Sequence, residues 1–228
     1  MSNAGTDPAF QATPTAPKHG TTANGFRYSR LKALQKRLGQ RVDYLWWVLR
    51  GKPARSPHLL KQMTVLATAR TYQLDALVET GTYYGEMVAA MRKQFRSIST
   101  IEADARFYAL AQSMFSKYPH IRLLHGDSAM WIPKLLNDIK TPCLFWLDGG
   151  YFIWDAKEGS NNRLMSEIDA ILSHPVKQHV VLLDDARGLN GTHGTPRIED
   201  FIGAIHTRFP ERTIEVKHDI IRIYPAAH

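Results

Sequence analysis

Acidic side chains in this sequence recur just after short apolar runs, where carboxylates can meet a ligand carrying cations or hydroxyls. The run "ALVET" at 76–80 passes into Glu79-Thr80-Gly81-Thr82-Tyr83-Tyr84-Gly85. Later runs are followed by Glu102 and Asp104, by Asp127 and Ser128, by Asp148 with Gly149 and Gly150, and by Asp184 and Asp185. Glycine in such a turn lets backbone approach a ligand and lets a helix begin close to the preceding strand. Glu102 lies 21 residues after Gly81, close to the roughly 20-residue spacing at which an acid reaches ribose hydroxyls. A dinucleotide fingerprint needs G-x-G-x-x-G, and Tyr83 stands at its second glycine. A pyrophosphate would lack room there, and Glu79 would oppose its charge. A nucleoside with a cationic group and no phosphates suits these residues better. Taken singly, Asp127, Asp184 and Asp185 are equally readable as helix caps.

The elements that must position these groups follow from periodicity. Strands are expected at 76–80, 97–103, 121–126, 143–148 and 179–185, with helices over about 85–96, 105–117, 129–139, 161–173 and 196–209. Continuous apolar strands alternating with helices indicate a parallel sheet covered on both faces. In "RTIEVKHDIIRIYP", two β-rich runs flank Lys217–Asp219 too closely for a crossover helix, so they pair antiparallel. The expected fold is α/β: a doubly wound, mostly parallel, seven-stranded sheet with an antiparallel C-terminal strand and a helical N-terminal extension. Open sheets of this kind bind ligands at the carboxyl ends of their strands, near the switch in strand order.

Three regions are expected: a disordered tail over 1–25, a basic amphipathic helical extension over 26–56, and a Rossmann-like domain over 57–228. Leu31, Leu34, Leu38, Val42, Leu45 and Leu49 recur at helical spacing, and a second helix is expected from His58 to Tyr72. The formal charge of +8 is local: nine Lys/Arg face one acid, Asp43, between Arg27 and Arg55, and the rest of the chain holds 20 of each sign. The charge therefore describes the extension and says nothing of the main domain's partners. No run approaches the roughly 18 apolar residues of a membrane span. The first residues lack a secretory core, so a cytoplasmic location is expected, although the Ala/Thr/Pro-rich, acid-poor start also suits a transit peptide. Cys143, the single cysteine, fits a reducing compartment.

The ordered set "VETGTYYGE", "IEAD", "HGDS", "FWLDGGY" and "VVLLDDAR" resembles the class I S-adenosylmethionine-dependent methyltransferases, in particular small-molecule O-methyltransferases. The resemblance runs over roughly 58–225 and includes the final hairpin. It implies that Glu79, Gly81, Tyr83 and Gly85 line the methionine half of S-adenosylmethionine, with Glu79 near its ammonium. It implies that Glu102 binds the ribose, that Asp127 with Ser128 meets the adenine, and that Asp148 faces both the methionine portion and the acceptor. Asp148, Asp184 and Asp185 also resemble the positions with which cation-dependent catechol-type relatives hold Mg²⁺ or Ca²⁺. The chain departs from that pattern with Asp185 in place of an Asn, and with Gly150 where relatives place a histidine base. Asp148, Asp185 and His193 are the resulting catalytic candidates, with His125 a further possible base.

An O-methyltransferase acting on a small-molecule or glycan acceptor is thus the expected function. A nucleic-acid acceptor is not expected: no Asn/Asp-Pro-Pro-Tyr/Phe follows the fourth strand, and Cys143 begins its strand at the wrong end of the sheet for a nucleophile. The alternatives are a methyltransferase-fold binding or scaffold module and, disfavoured by Tyr83, a nicotinamide-dependent oxidoreductase. The segment 27–52 is readable as a helix over the cofactor cleft, a dimer helix, or a peripheral contact with an anionic membrane. Tyr151, Phe152 and Trp154 are candidate walls of an acceptor pocket.

Overall fold

The computed structural model describes residues 38–53, 55–150, 160–192 and 195–226. The chain divides into two compact units, Met1–Gly39 and Gln40–His228. Of the first, the described residues are Leu38 and Gly39.

Helix α1 covers 38–49. It is followed by α2 (His58–Thr71), β1 (Ala76–Thr80), α3 (Glu86–Met91), β2 (Ser97–Glu102), α4 (Ala105–Phe115), β3 (Ile121–His125) and α5 (Ser128–Asp138). Then come β4 (Leu144–Leu147), α6 (Ser160–Ser173), β5 (Val180–Leu183), a 3₁₀ turn (Ala186–Gly188), α7 (Ile198–Arg208), β6 (Thr213–Lys217) and β7 (Ile220–Tyr224). The strands form one seven-stranded sheet in the order β3-β2-β1-β4-β5-β7-β6. Strands β1 to β5 pair parallel, and β7 runs antiparallel between β5 and β6. The expected doubly wound sheet is therefore present, and its switch point lies between β1 and β4.

Alternation along each strand sorts side chains to two faces. Val78, Phe145, Leu147, Val181 and Leu183 pack beneath α5, α6 and α7. Leu77, Ile98, Leu144, Trp146, Val180 and Leu182 pack against α2, α3 and α4. The second face continues past the last apolar residues, because Asp148 N–H donates to Thr80 O (3.1 Å) and Asp184 N–H donates to Leu147 O (3.0 Å). The pleat therefore carries Glu79, Glu102, Asp148 and Asp184 onto one side of the sheet, the side that α2 covers.

Two local expectations differ. The helix after the glycine turn stops at Met91 rather than near Arg96, where a hydrogen-bonded turn over Arg92–Gln94 leads into β2. In α1 the leucine stripe faces outward: Leu38, Val42, Leu45 and Leu49 are each at least half exposed. The inward residue is Trp47, which donates from Nε1 to Pro53 O (2.9 Å) and meets the His218 ring edge-on at 5.4 Å. Spacing alone identified a helix here and assigned its buried side wrongly. Residues 27–37 of the basic segment lie outside the described residues.

The β6–β7 turn brings a further carboxylate to the carboxyl edge. His218 and Asp219 both have positive φ, 54° and 63°, the conformation of a two-residue type I′ hairpin. The buried Asp219 carboxylate accepts the Arg187 N–H at 2.9 Å and pairs with the Arg187 guanidinium. Replacing Asp219 by Ala leaves both donors without this partner, at an expected cost of about 2–4 kcal/mol. Urea unfolding of Asp219→Ala checks this, and a loss below about 1 kcal/mol would show that the contact is not stabilising the hairpin.

Candidate active site

Gly81 follows β1 and lies against Asp148 and Gly149, the residues that follow β4. Its φ is +80°, and a Cβ on it would overlap the Asp148 carbonyl oxygen. Gly85, with φ +70°, precedes α3, and a Cβ there would press on the Phe115 ring. Both glycines are thus demanded by backbone conformation and packing. Tyr83 between them has φ 49°. Its half-exposed ring lies 4.3 Å from that of Tyr84 and 4.5 Å from that of Phe107.

Two carboxylates are fixed beneath the turn. Glu102 accepts the Tyr83 N–H at Oε2 (2.7 Å) and the Asp104 N–H at Oε1 (2.8 Å). One backbone donor per oxygen orients the group and leaves further lone pairs for a hydroxyl-bearing ligand. Glu79 is 2% exposed. Thr100 Oγ1 donates to its Oε2 at 2.6 Å, and Thr82 Oγ1 lies 2.6 Å from Thr100 Oγ1. Burial pushes the Glu79 carboxyl up to about 8, with the Thr100 hydrogen bond opposing and Glu102 adding to the rise.

At the other side of the switch point the expected acids Asp184 and Asp185 meet a lysine that sequence reading did not foresee. Lys61, one turn into α2, pairs with Asp184, whose side chain is fully buried, and its Nζ lies 3.7 Å from Asp185 Oδ1. The second Asp184 oxygen, Oδ1, accepts the Asp185 N–H at 2.8 Å. Asp185 has φ 57°, and its Oδ1 is also 2.9 Å from Arg187 Nη1. Burial raises the Asp148 carboxyl well above the usual carboxylate range, Asp184 adds to the rise, and Lys61 opposes it. Asp184 is raised as well, by burial first and with Lys61 opposing. Burial tends to lower the Lys61 ammonium, but Asp184, Asp148 and Asp185 outweigh it and hold the group above its ordinary value. Among the described residues, no group of three or more His, Cys, Asp or Glu is arranged to hold a metal ion. The Mg²⁺ site expected from Asp148, Asp184 and Asp185 thus lacks a metal-binding arrangement, and an ammonium stands among its carboxylates.

The remaining candidates are more dispersed. Asp127 caps α5 by accepting the Ala129 N–H (3.0 Å) and pairs with Arg163 of α6, which holds its carboxyl below the usual range. Ser128 Oγ donates to Glu167 Oε1 at 2.6 Å. His125 ends β3, with its ring stacked 4.7 Å from Tyr108. His193, Tyr151, Phe152 and Trp154 lie outside the described residues. Lys61, Arg163, Thr100 and Asp219 were missed because each acquires its partner across 21 or more residues of chain. The one available signal was parity: Thr100 shares its strand face with Ile98 and Glu102.

Solved structures with the same architecture fix what this fold is. The SAH-bound methyltransferase PaMTH1 of Podospora anserina matches over 94% of this chain and all of its own length, with a TM-score of 0.55 at 16% identity. The fold is that of the class I, S-adenosylmethionine-dependent O-methyltransferases. An O-methyltransferase from Bacillus cereus in complex with SAH matches over 82% of this chain and 90% of its own, with a TM-score of 0.56 at 12% identity. The SAM-bound TomG of Streptomyces achromogenes matches over 82% and 89%, at 0.55 and 15%. No protein-family model and no curated protein matches this sequence.

In this methyltransferase fold the buried Glu79 has a pH signature. Its folded-state pKa of about 8 lies above the ordinary 4.5. Its contribution to stability is complete below pH 4.5 and is lost as pH rises through that window towards 8. Glu79→Gln keeps an acceptor for Thr100 and removes the titration. The variant should match the wild type near pH 4.5 and exceed it by at least about 1 kcal/mol at pH 8. Thermal unfolding of both proteins across this range is the measurement, and a pH-independent difference between them would sink the assignment.

Proposed function

We propose that the protein transfers a methyl group from S-adenosylmethionine to a hydroxyl oxygen of a small-molecule or sugar-like acceptor. The observation that carries this reading is the Glu102 carboxylate, anchored by the N–H groups of Tyr83 and Asp104 directly under the glycine turn. That arrangement couples an acceptor of ribose hydroxyls to a turn without phosphate-binding features. Fold likeness to the SAM- and SAH-bound structures supports the same cofactor.

In this reading Glu102 binds the ribose diol and Gly81, Tyr83 and Gly85 shape the methionine side. Glu79 meets the amino group directly or through water, and Asp127 with Ser128 borders the adenine. The buried edge fits such a ligand because its acids are matched to an ammonium, a sulfonium and a diol. When bound, S-adenosylmethionine supplies an electrophilic methyl, which an acceptor oxygen takes with its lone pair while the carbon–sulfur bonding pair returns to sulfur. Asp148, which follows β4 on the same side of the sheet as Glu79 and Glu102, takes the hydroxyl proton. Asp185 is already engaged by Lys61 and Arg187, so its part is to hold those cations. His193 stays a candidate for contact with the acceptor. The rest of the rate comes from alignment of methyl and oxygen.

Calorimetry with S-adenosylmethionine and, separately, with NAD distinguishes this reading from an oxidoreductase, because only the first ligand is expected to bind. Glu102→Ala should weaken S-adenosylmethionine by at least about tenfold, the equivalent of losing a charge-assisted hydrogen bond. An affinity within about twofold of the wild type would remove the ribose assignment. Cofactor binding without turnover across a broad screen of hydroxyl acceptors would favour the scaffold alternative, for which Gly150 and the basic extension speak.

Peripheral contact of 27–52 with an anionic membrane is supported by the exposed Leu38, Val42, Leu45, Trp46 and Leu49 beside Arg41 and Arg50. Among the described residues no helix is long and apolar enough to cross a membrane. Full-length protein should sediment with phosphatidylserine vesicles more than a chain starting at Pro57 does. Equal sedimentation of the two would remove this contact.

A further inference from the structure

The carboxylates at the ends of β4 and β5 pose a question of charge that the proposed reaction leaves open. Asp148, Asp184 and Asp185 crowd one edge of the sheet, and each costs free energy to ionise there without a cation. A divalent ion could answer that need only if the oxygens were free to surround it, with about six ligands at roughly 2.0–2.6 Å. They are not free. Asp184 is committed at both oxygens, to the Lys61 ammonium and to the Asp185 N–H. Asp185 Oδ1 lies between Lys61 Nζ at 3.7 Å and Arg187 Nη1 at 2.9 Å. The donor set therefore does not fit a divalent ion, because the cations of Lys61 and Arg187 already stand against Asp184 and Asp185.

The origin of Lys61 makes this a built arrangement. It comes from α2, whose Val65 and Ala69 pack on the sheet face that carries Asp148 and Asp184. Its side chain is 15% exposed, so the stem is largely buried and the ammonium has little freedom to leave for water. A surface lysine gains little from an ion pair. A partly buried one facing a fully buried carboxylate is in a different regime, where removing either partner strands a charge. Among the described residues its hydrogen bond is to Asp184, and a lysine ammonium has three donors. Donors remain for an acceptor oxygen approaching beside Asp148.

We propose that Lys61 is the resident cation of this site, occupying the carboxylate cluster in place of a divalent metal and presenting an ammonium to the acceptor oxygen. The assignment rests on the O-methyltransferase reading for the acceptor's part and on geometry alone for the exclusion of metal. No atom passes to or from Lys61. The hydroxyl proton goes to Asp148 and the methyl to oxygen, as above. The ammonium only stabilises the negative charge that gathers on that oxygen. The site is thus suited to hydroxyl acceptors that react as partial anions, and it needs no Mg²⁺.

The test is Mn²⁺ binding to the full chain, followed by the electron paramagnetic resonance of free Mn²⁺ and checked by competition with Mg²⁺. The wild type should show no saturable site up to about 1 mM, the weak end of protein oxygen sites. Lys61→Met, which keeps the stem and removes the charge, should gain one site at least about tenfold tighter than that limit. Lys61→Arg should not gain it. Saturable, Mg²⁺-competed binding of one Mn²⁺ by the wild type overturns the proposal whether or not the variants fold. So does a folded Lys61→Met that gains no site. Calorimetry with S-adenosylmethionine on the same wild-type sample separates the two readings. Failure to bind it removes the methyltransferase reading and leaves the metal exclusion standing, whereas Mn²⁺ binding removes the cation assignment alone.

Discussion

The ion pair between Lys61 and Asp184 is the constraint around which this carboxyl edge is organised. A parallel sheet with one acid after each of several strands concentrates negative charge where backbone and apolar side chains have displaced water. Asp184 is fully buried in its side chain, and an uncompensated carboxylate at that depth would either protonate or disrupt the packing. The compensating cation must come from an element that lies flat on the same sheet face. Helix α2 supplies it, with Val65 and Ala69 packed on that face and Lys61 in its first turn reaching the acids. Arg187 extends the balance outward to Asp185 and Asp219, tying the 3₁₀ turn and the β6–β7 hairpin into the same network. Charge therefore alternates along the edge from α2 to the hairpin, and each element in that path depends on its neighbour.

The glycine turn shows how connection and binding come from one cause. Gly81 is required because the Asp148 carbonyl oxygen would collide with a side chain. That closeness is the geometry of a switch point, where β1 and β4 are adjacent and their following segments diverge. At that point Gly81 leaves the main chain bare of a side chain. The turn is thus a tight strand-to-helix connection and, for the same steric reason, a place where a ligand can lie against the main chain. Asp127 follows the same local logic as a cap: acids collect at helix N-termini because the free N–H groups there favour negative charge.

Much of this was legible in the sequence, and the limits have physical reasons. Strand positions and the hairpin follow from apolar runs and turn spacing, which local chain geometry imposes. Their parity also indicates that Glu79, Glu102, Asp148 and Asp184 share a face, since each follows apolar residues of the same register. What covers that face is a tertiary fact. Nothing in "HLLKQMTVLATAR" marks Lys61 as different from any lysine in a first helical turn until the helix is placed on the sheet. The leucine stripe of α1 failed for the converse reason. Periodicity identifies a helix and an apolar side, but Trp47, with a hydrogen-bonding tip and a large ring, wins the inward position. Tight spacing was a poor guide to the helix after Gly85 too, because a three-residue turn ends it at Met91.

The opposite end of the sheet clarifies why chemistry concentrates at the carboxyl edge. There two histidines and a cysteine are linked: Cys143 N–H donates to His179 Nδ1 (3.0 Å), and His179 Nε2 lies 2.9 Å from His174 Nδ1. Burial lowers the His179 imidazole to about 4 and pushes the Cys143 thiol up to about 12, so both stay neutral across the ordinary pH range. Neutral, paired groups hold a structure together without offering a charge to a ligand. At the carboxyl edge burial acts on carboxylates instead. It raises Glu79, Asp148 and Asp184, with Lys61 opposing the rise at the two aspartates. The same desolvation keeps His179 and Cys143 neutral at one end and raises the carboxyls at the other, and the difference lies in which residue types the strand ends carry.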